Sequence, residues 1–92
     1  MLREGTRRSL GGYTFFVGRA AGERAQLGIL ISRKHAAAAV ERNRIKRCIR
    51  EAFRLEQENL RGLELLVRPP YGVRASRLRV SDLREALRRL AT

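Results

Sequence analysis

One segment of the chain carries a dense run of basic side chains. Between Arg42 and Arg50, five of the nine residues are basic and none is acidic. Side chains of this type bind phosphate groups, and the arginine guanidinium does so best because its planar fork donates two hydrogen bonds at once. On a helical wheel the basic positions fall opposite the apolar positions Ile45 and Ile49. The spacing therefore indicates one cationic helix face that could bind a polyanion.

Like charges recur along this predicted helix at intervals of four residues, at Arg42, Lys46, Arg50 and Arg54. Their mutual repulsion costs roughly a few tenths of a kcal/mol per pair, a cost that a bound polyanion would offset. An ordinary solvated face is the first alternative, although such faces usually mix the two signs of charge. A helix lying on an anionic membrane is the second, and it is disfavoured because the apolar side is needed to cover a sheet.

Composition supports a nucleic acid as the polyanion. The 92 residues include 21 basic and 9 acidic side chains, a formal net charge of +12, and 43 % of them are hydrophobic. That fraction is typical of a folded domain, whereas a disordered basic tail would contain fewer apolar residues. A GC-rich genome would also favour arginine, but it would not remove acidic residues. Neither a secretory signal nor a transmembrane run is recognisable, so we expect a cytoplasmic protein.

Side chains suited to catalysis or metal binding are sparse. The chain has one histidine, His35, one cysteine, Cys48, and scattered carboxylates. No spacing matches a nucleophile–histidine–acid arrangement, a carboxylate pair or a cluster of metal ligands. We interpret His35 as an ordinary loop residue and Cys48 as a small hydrophobe. The sequence predicts neither catalytic residues nor metal ligands.

The elements that must position the basic run predict a small single α+β domain over residues 1–92. After an irregular lead-in over residues 1–12, we predict strands over 13–20, 26–32 and 63–68, a long helix over 40–60 and a last helix from Ser81 to Leu90. The first two strands are expected to form an antiparallel hairpin. The order is β-β-α-β-α, and the strand–helix–strand crossover implies a mixed β-sheet packed against helices.

The basic run also carries a family resemblance. The residues Arg42–Arg47, which read RNRIKR and continue as Arg50–Arg54, resemble the RNR helix of the bacterial ribonuclease P protein subunit. That helix has the hallmark R-N-R-x-K-R followed by R-x-x-F. The preceding Gly28–Lys34 resembles the family strand that ends in S-K-K, and the resemblance covers roughly Gly5 to Leu90. The resemblance implies that the strand–helix–strand crossover is left-handed.

The resemblance implies a protein component of ribonuclease P, the ribonucleoprotein endoribonuclease that matures the 5′ end of tRNA. The implied partners are the ribonuclease P RNA, with one protein per RNA, and the 5′ leader of precursor tRNA, with no membrane partner. Catalysis is expected to belong to the RNA and to Mg²⁺ ions held mainly by that RNA. A structural ribosomal-type RNA-binding protein is the alternative, and a nuclease acting alone is disfavoured by the missing acid–base residues.

By this resemblance, two groups of residues would contact RNA. The group expected to bind the RNA subunit lies on the long helix: Arg42, Asn43, Arg44, Lys46, Arg47, Arg50 and Arg54. The group expected to bind the leader lies on the first predicted strand and in the loop before the helix: Tyr13, Phe15, Phe16, Val17, Arg33 and Lys34. Because side chains alternate along a strand, either the Tyr13–Phe15–Val17 face or the Phe16 face could be the platform, and the sequence leaves this open.

The chain departs from the family pattern in two places. Members usually begin with an additional helix that packs beside the sheet. By this resemblance we expect most of that helix to be missing here, which leaves open whether leader binding persists. The second departure is the alanine-rich stretch over residues 35–39, where small, glycine-bearing or basic residues are usual. The hallmark itself is unbroken.

Overall fold

A four-stranded mixed sheet with two helices on one face forms the domain. The computed structural model describes residues 6–72 and 74–91. Its elements are β1 (Thr6–Leu10), β2 (Tyr13–Arg19), β3 (Gln26–Ile29), α1 (Ala39–Glu56), β4 (Leu63–Arg68), one 3₁₀ turn (Ala75–Arg77) and α2 (Val80–Leu90). The strand order is β1-β2-β4-β3, in which β3 and β4 are parallel and the other pairs are antiparallel. The predicted fold class is confirmed, with one strand more than the sequence indicated.

The additional strand lies in the segment that the sequence predicted to be irregular. Residues 6–10 pair with β2 through a two-residue turn, in which Gly11 has φ of 57° and Gly12 has φ of 84°. Positive φ at both positions is typical of the type I′ turn, whose twist matches that of paired strands. The prediction of an irregular lead-in over residues 1–12 is therefore wrong for residues 6–10. Residues 1–5 lie outside the described part of the chain.

The predicted hairpin between β2 and β3 is also wrong, because β4 lies between them. Val67 of β4 is the register partner of Phe15 on one side and of Ile29 on the other. A central β4 satisfies both of its hydrogen-bonding edges and buries its side chains under the helices. The parallel pairing of β3 and β4 through α1 confirms the predicted crossover unit. The left-handed sense of that crossover stays a prediction.

The helices cover one face of the sheet with a continuous apolar core. From α1 the buried positions are Ile45, Ile49 and Ala52, and from α2 they are Leu83, Leu87 and Leu90. The two helices also pack against each other. Among residues 6–72 and 74–91, no helix has the length and apolar character needed to cross a bilayer.

Helix α1 ends earlier than the sequence predicts. Its last residue is Glu56, and the chain continues in turns to Gly62, which has a left-handed φ of 80°. Near this end of α1, Leu55 is exposed and the charged residue Glu56 is buried.

Buried Glu56 joins α1 to α2. Its carboxylate accepts hydrogen bonds from Arg84 Nε at 2.7 Å, from Arg88 Nε at 3.1 Å and from Asn59 Nδ2 at 2.9 Å. The side chain of Glu56 is only 2 % exposed. The hydrogen bond from Arg88, followed by those from Arg84 and Asn59, outweighs the effect of burial and lowers the Glu56 pKa to about 2.

Replacement of Glu56 by glutamine tests this junction. Because the folded-state pKa of Glu56 lies below its unfolded value, the stabilisation is fully present above about pH 5 and is lost as pH falls towards 2. We expect Glu56→Gln to lower the free energy of unfolding by about 2 kcal/mol at neutral pH, and the difference from the native chain should shrink on acidification. Urea unfolding at a series of pH values measures both.

Glu58→Gln is the matched control, because the Glu58 side chain is 84 % exposed. That variant should unfold within about 0.5 kcal/mol of the native chain at every pH. Equal losses for the two variants would contradict a specific role for Glu56.

Candidate nucleic-acid interface

The exposed side of α1 displays most of the side chains that the sequence assigned to RNA binding. Because Ile45 and Ile49 pack on the sheet, the opposite side of the helix must face solvent. Lys46 is half-buried. The exposed residues of the predicted set are Asn43, Arg44, Arg47, Arg50 and Arg54. Four of these, all except Arg44, line one shallow groove along the helix surface.

Two of the predicted cations are engaged within the protein. Arg42 turns towards the preceding loop, where its Nη1 donates to the carbonyl oxygens of Ala36 at 3.0 Å and Ala37 at 2.8 Å. Arg54 makes a two-bond contact with Glu51, from Nε at 2.8 Å and Nη2 at 2.9 Å. Glu51 thereby offsets the charge of Arg54. The structure thus gives Arg42 a role in holding the loop, and it concentrates the unscreened charge at Arg44, Arg47 and Arg50.

The loop before α1 is held by His35. This histidine is 5 % exposed, its ring stacks on Tyr71 at 4.6 Å between centroids, and its Nδ1 accepts the Ser32 N–H at 2.8 Å. Burial lowers the pKa of His35, which keeps the ring neutral, as an Nδ1 acceptor must be. His35 is therefore a structural residue, and it fixes the loop that exposes Arg33 and Lys34.

Arg33 and Lys34 lie beside the start of α1 in a cavity that Arg44 and Arg74 also line. The first turn of α1 has no side-chain cap, so its free amide groups add positive potential at this end. Arg74 was not among the residues that the sequence predicted to bind RNA. The signal for it was present, because Arg74, Arg77 and Arg79 recur in the short segment before α2.

The first predicted strand divides its aromatic residues between two faces. Phe15 is fully buried and Tyr13 is 8 % exposed, and Val17 packs against the same core. Burial also raises the pKa of the Tyr13 phenol. The alternative in which the leader platform consists of Tyr13, Phe15 and Val17 is therefore wrong. Side chains that pack into the core under the helices cannot stack on a base.

Phe16 lies on the opposite face of the sheet, called the open face here because neither helix within residues 6–72 and 74–91 covers it. The strand register places Phe16 beside Leu66 on one side and Arg7 on the other, in one row across the sheet. Gly28 continues the row, and a Cβ there would approach Leu66 Cδ2 to 2.5 Å. A side chain at position 28 would therefore displace the end of the Leu66 side chain, which lies across β3. The guanidinium carbon of Arg68 is 6.0 Å from the Phe16 ring centroid. The open face therefore offers an apolar centre with arginines on either side.

This arrangement can bind phosphates and stack on bases. Exposed arginines on α1 supply cations, and Phe16 supplies a ring at the surface. Across residues 6–72 and 74–91, no group of three histidine, cysteine or acidic side chains is arranged to hold a metal ion. Cys48 is half-buried, and burial raises the pKa of its thiol, which disfavours the nucleophilic thiolate.

Two relatives share substantial sequence with this chain. A ribonuclease P protein component from Alcanivorax borkumensis is 45 % identical over 58 residues, covering 63 % of this chain and 48 % of that protein. One from Nitrosococcus oceani is 46 % identical over 67 residues, covering 73 % of this chain and 55 % of that protein. The chain thus spans about half the length of the relatives it matches.

The fold has solved counterparts. The RNase P protein from Thermotoga maritima, in complex with 1-(4-fluorophenyl)-2-thiourea, superimposes with a TM-score of 0.77 at 26 % identity. The match covers 96 % of this chain and 84 % of the Thermotoga chain. The family model described as Ribonuclease P matches residues 1–92. With the sequence, the fold and the unbroken RNRIKR run in agreement, this chain belongs to the ribonuclease P protein family.

Proposed function

We propose that the chain is the protein component of ribonuclease P and that the exposed face of α1 binds the catalytic RNA subunit. The observation that carries this proposal is the exposure of Arg44, Arg47 and Arg50 on one side of a helix whose other side is buried. Neutralising RNA phosphates would relieve the repulsion between these neighbours and release counterions. Membership of the family supports the RNA as the partner.

The open face of the sheet would hold the 5′ leader of precursor tRNA. A single-stranded leader presents unstacked bases, and Phe16 beside Leu66 provides an apolar surface for one of them. Arg7 and Arg68 flank that surface, where they can pair with leader phosphates. Among the predicted leader residues, Phe16, Arg33 and Lys34 thus remain in the proposal.

Hydrolysis in this proposal takes place on the RNA subunit, with Mg²⁺ ions, held mainly by that RNA, supplying the catalytic chemistry. The protein contributes phosphate neutralisation and a leader surface, with one protein bound per RNA. Endonucleolytic cleavage would then release the 5′ leader, and the assembly would act in the cytoplasm on tRNA precursors.

The alternative of a structural ribosomal-type protein relies on the same basic surface. It gives no role to the open face of the sheet, where the half-buried Phe16 ring lies between Arg7 and Arg68. The two functions therefore differ in whether the chain promotes tRNA processing.

Reconstitution tests the proposed function. We expect the purified chain, added to a bacterial ribonuclease P RNA at low magnesium, to raise the rate of 5′ cleavage of a precursor tRNA, because bound cations replace part of the Mg²⁺ requirement for RNA folding. Cleavage is measured by gel separation of leader and mature tRNA. A polyarginine peptide of similar net charge is the control; stimulation by the peptide alone, or none by the protein, would contradict the proposal.

Phe16→Ala tests the leader surface. We expect about a tenfold loss of affinity for a leader-bearing precursor, the value of one stacked base, and no change for mature tRNA. Equilibrium binding to the reconstituted ribonucleoprotein measures both affinities. Leu55→Ala, which truncates an exposed apolar side chain on α1, should affect neither. Equal losses for the two RNAs would show that Phe16 does not contact the leader.

A further inference from the structure

A groove between α1 and the segment that precedes α2 has an apolar floor beneath basic side chains. The floor is formed by Cys48, Ala75 and Val80, and Arg44 and Arg47 stand on its α1 side. Its volume is about 440 Å³, within the range of clefts that hold small ligands. We propose that this groove takes one unstacked nucleotide of an RNA partner, with the base on the apolar floor and the adjoining phosphates on the two arginines.

The part of the groove floor that lies outside α1 is fixed in place. The 3₁₀ turn that carries Ala75 packs against α1, and the Ala75 N–H donates to the Glu41 carboxylate in the first turn of that helix. Ala75 and Val80 also pack against the edge of the core. The groove is therefore pre-formed, so a bound base would not have to pay for ordering the segment.

The positive charge around the groove favours a nucleotide, which carries a phosphate, over an uncharged apolar ligand. Arg44 and Arg47 are exposed, and the one acid on the rim, Glu51, is already paired with Arg54 at 2.8 Å. An unpaired base has a flat π-face that contacts apolar side chains and stacks on guanidinium planes. The exposed Ser76 lines the same groove and can bond a base edge or a ribose hydroxyl.

A regular RNA duplex would use only half of this site. Its phosphates would reach the arginines, but its bases remain stacked inside the helix, so the floor of Cys48, Ala75 and Val80 would stay in water. An extruded or single-stranded nucleotide satisfies both parts. Arg44 also lines the neighbouring cavity that contains Arg33, so the strand has a basic path on towards the start of α1.

This inference deepens the proposed function, since it rests on RNA as the partner of the α1 face. Its test uses two short RNA hairpins of equal length and charge, one with a single unpaired adenosine and one fully paired. We expect the native chain to bind the bulged hairpin about tenfold more tightly, the preference that one stacked base provides.

Ala75→Leu fills the groove without changing charge and should abolish that preference while leaving affinity for the paired hairpin unchanged. Ala21→Leu, at an exposed position in the β2–β3 turn, should keep it. Equal affinity of the native chain for the two hairpins, or a preference that survives in Ala75→Leu, would overturn the proposal.

The single cysteine provides a second readout that needs no substitution. Iodoacetamide adds one mass increment at Cys48, and the rate at a fixed alkaline pH reports access to the groove. At matched saturation, the bulged hairpin should slow alkylation more than the paired hairpin. Equal protection would contradict the groove assignment. Because neither assay uses ribonuclease P RNA, failed reconstitution with a positive hairpin result would reject the proposed function and keep the groove.

Discussion

The rotation of α1 about its own axis determines what the protein presents to a partner. Ile45, Ile49 and Ala52 fix that rotation by packing on the sheet, and Glu56 fixes it again one turn later through its contacts with Arg84 and Arg88 of α2. With the helix held at both positions, the like-charged side chains on its other side cannot turn inward to relieve their repulsion. The structure therefore maintains a concentrated positive field at the surface.

The second constraint is the parallel pairing of β3 and β4. Because the carboxyl ends of parallel neighbours lie at the same edge of a sheet, the loop after β3 and the loop after β4 meet there. The contact is seen in the stacking of His35 on Tyr71 and in the hydrogen bond from Gly72 N–H to the His35 carbonyl oxygen. In the loop after β3, Arg33 and Lys34 line one cavity together with Arg44 of α1, so the loop proposed to bind the leader adjoins the face proposed to bind the RNA subunit.

Local signals in the sequence predicted much of this architecture, and long-range pairing accounts for what was missed. Strand β4 has the predicted bounds because glycine precedes it and two prolines follow it. The pairing of β2 with β4, by contrast, depends on contacts across about fifty residues, which no local pattern encodes. Glu56 lies on the buried side of the wheel, but a carboxylate enters a core only when paired, and its partners lie 28 and 32 residues further along the chain. The basic face followed from spacing alone, whereas the internal engagement of Arg42 and Arg54 required knowledge of their neighbours.

We propose that the cations of the α1 face, and not net charge alone, bind the catalytic RNA. The most direct measurement is the salt dependence of binding to ribonuclease P RNA. If about five phosphates are neutralised, log K falls with log[salt] at a slope of about −4 to −5. We expect Arg44→Ala with Arg47→Ala to make this slope shallower by about 2. Arg24→Ala with Arg61→Ala removes equal charge from the groove at the other end of α1, and it should leave the slope unchanged. An unchanged slope in the first double variant, or equal changes in both, would contradict the claim.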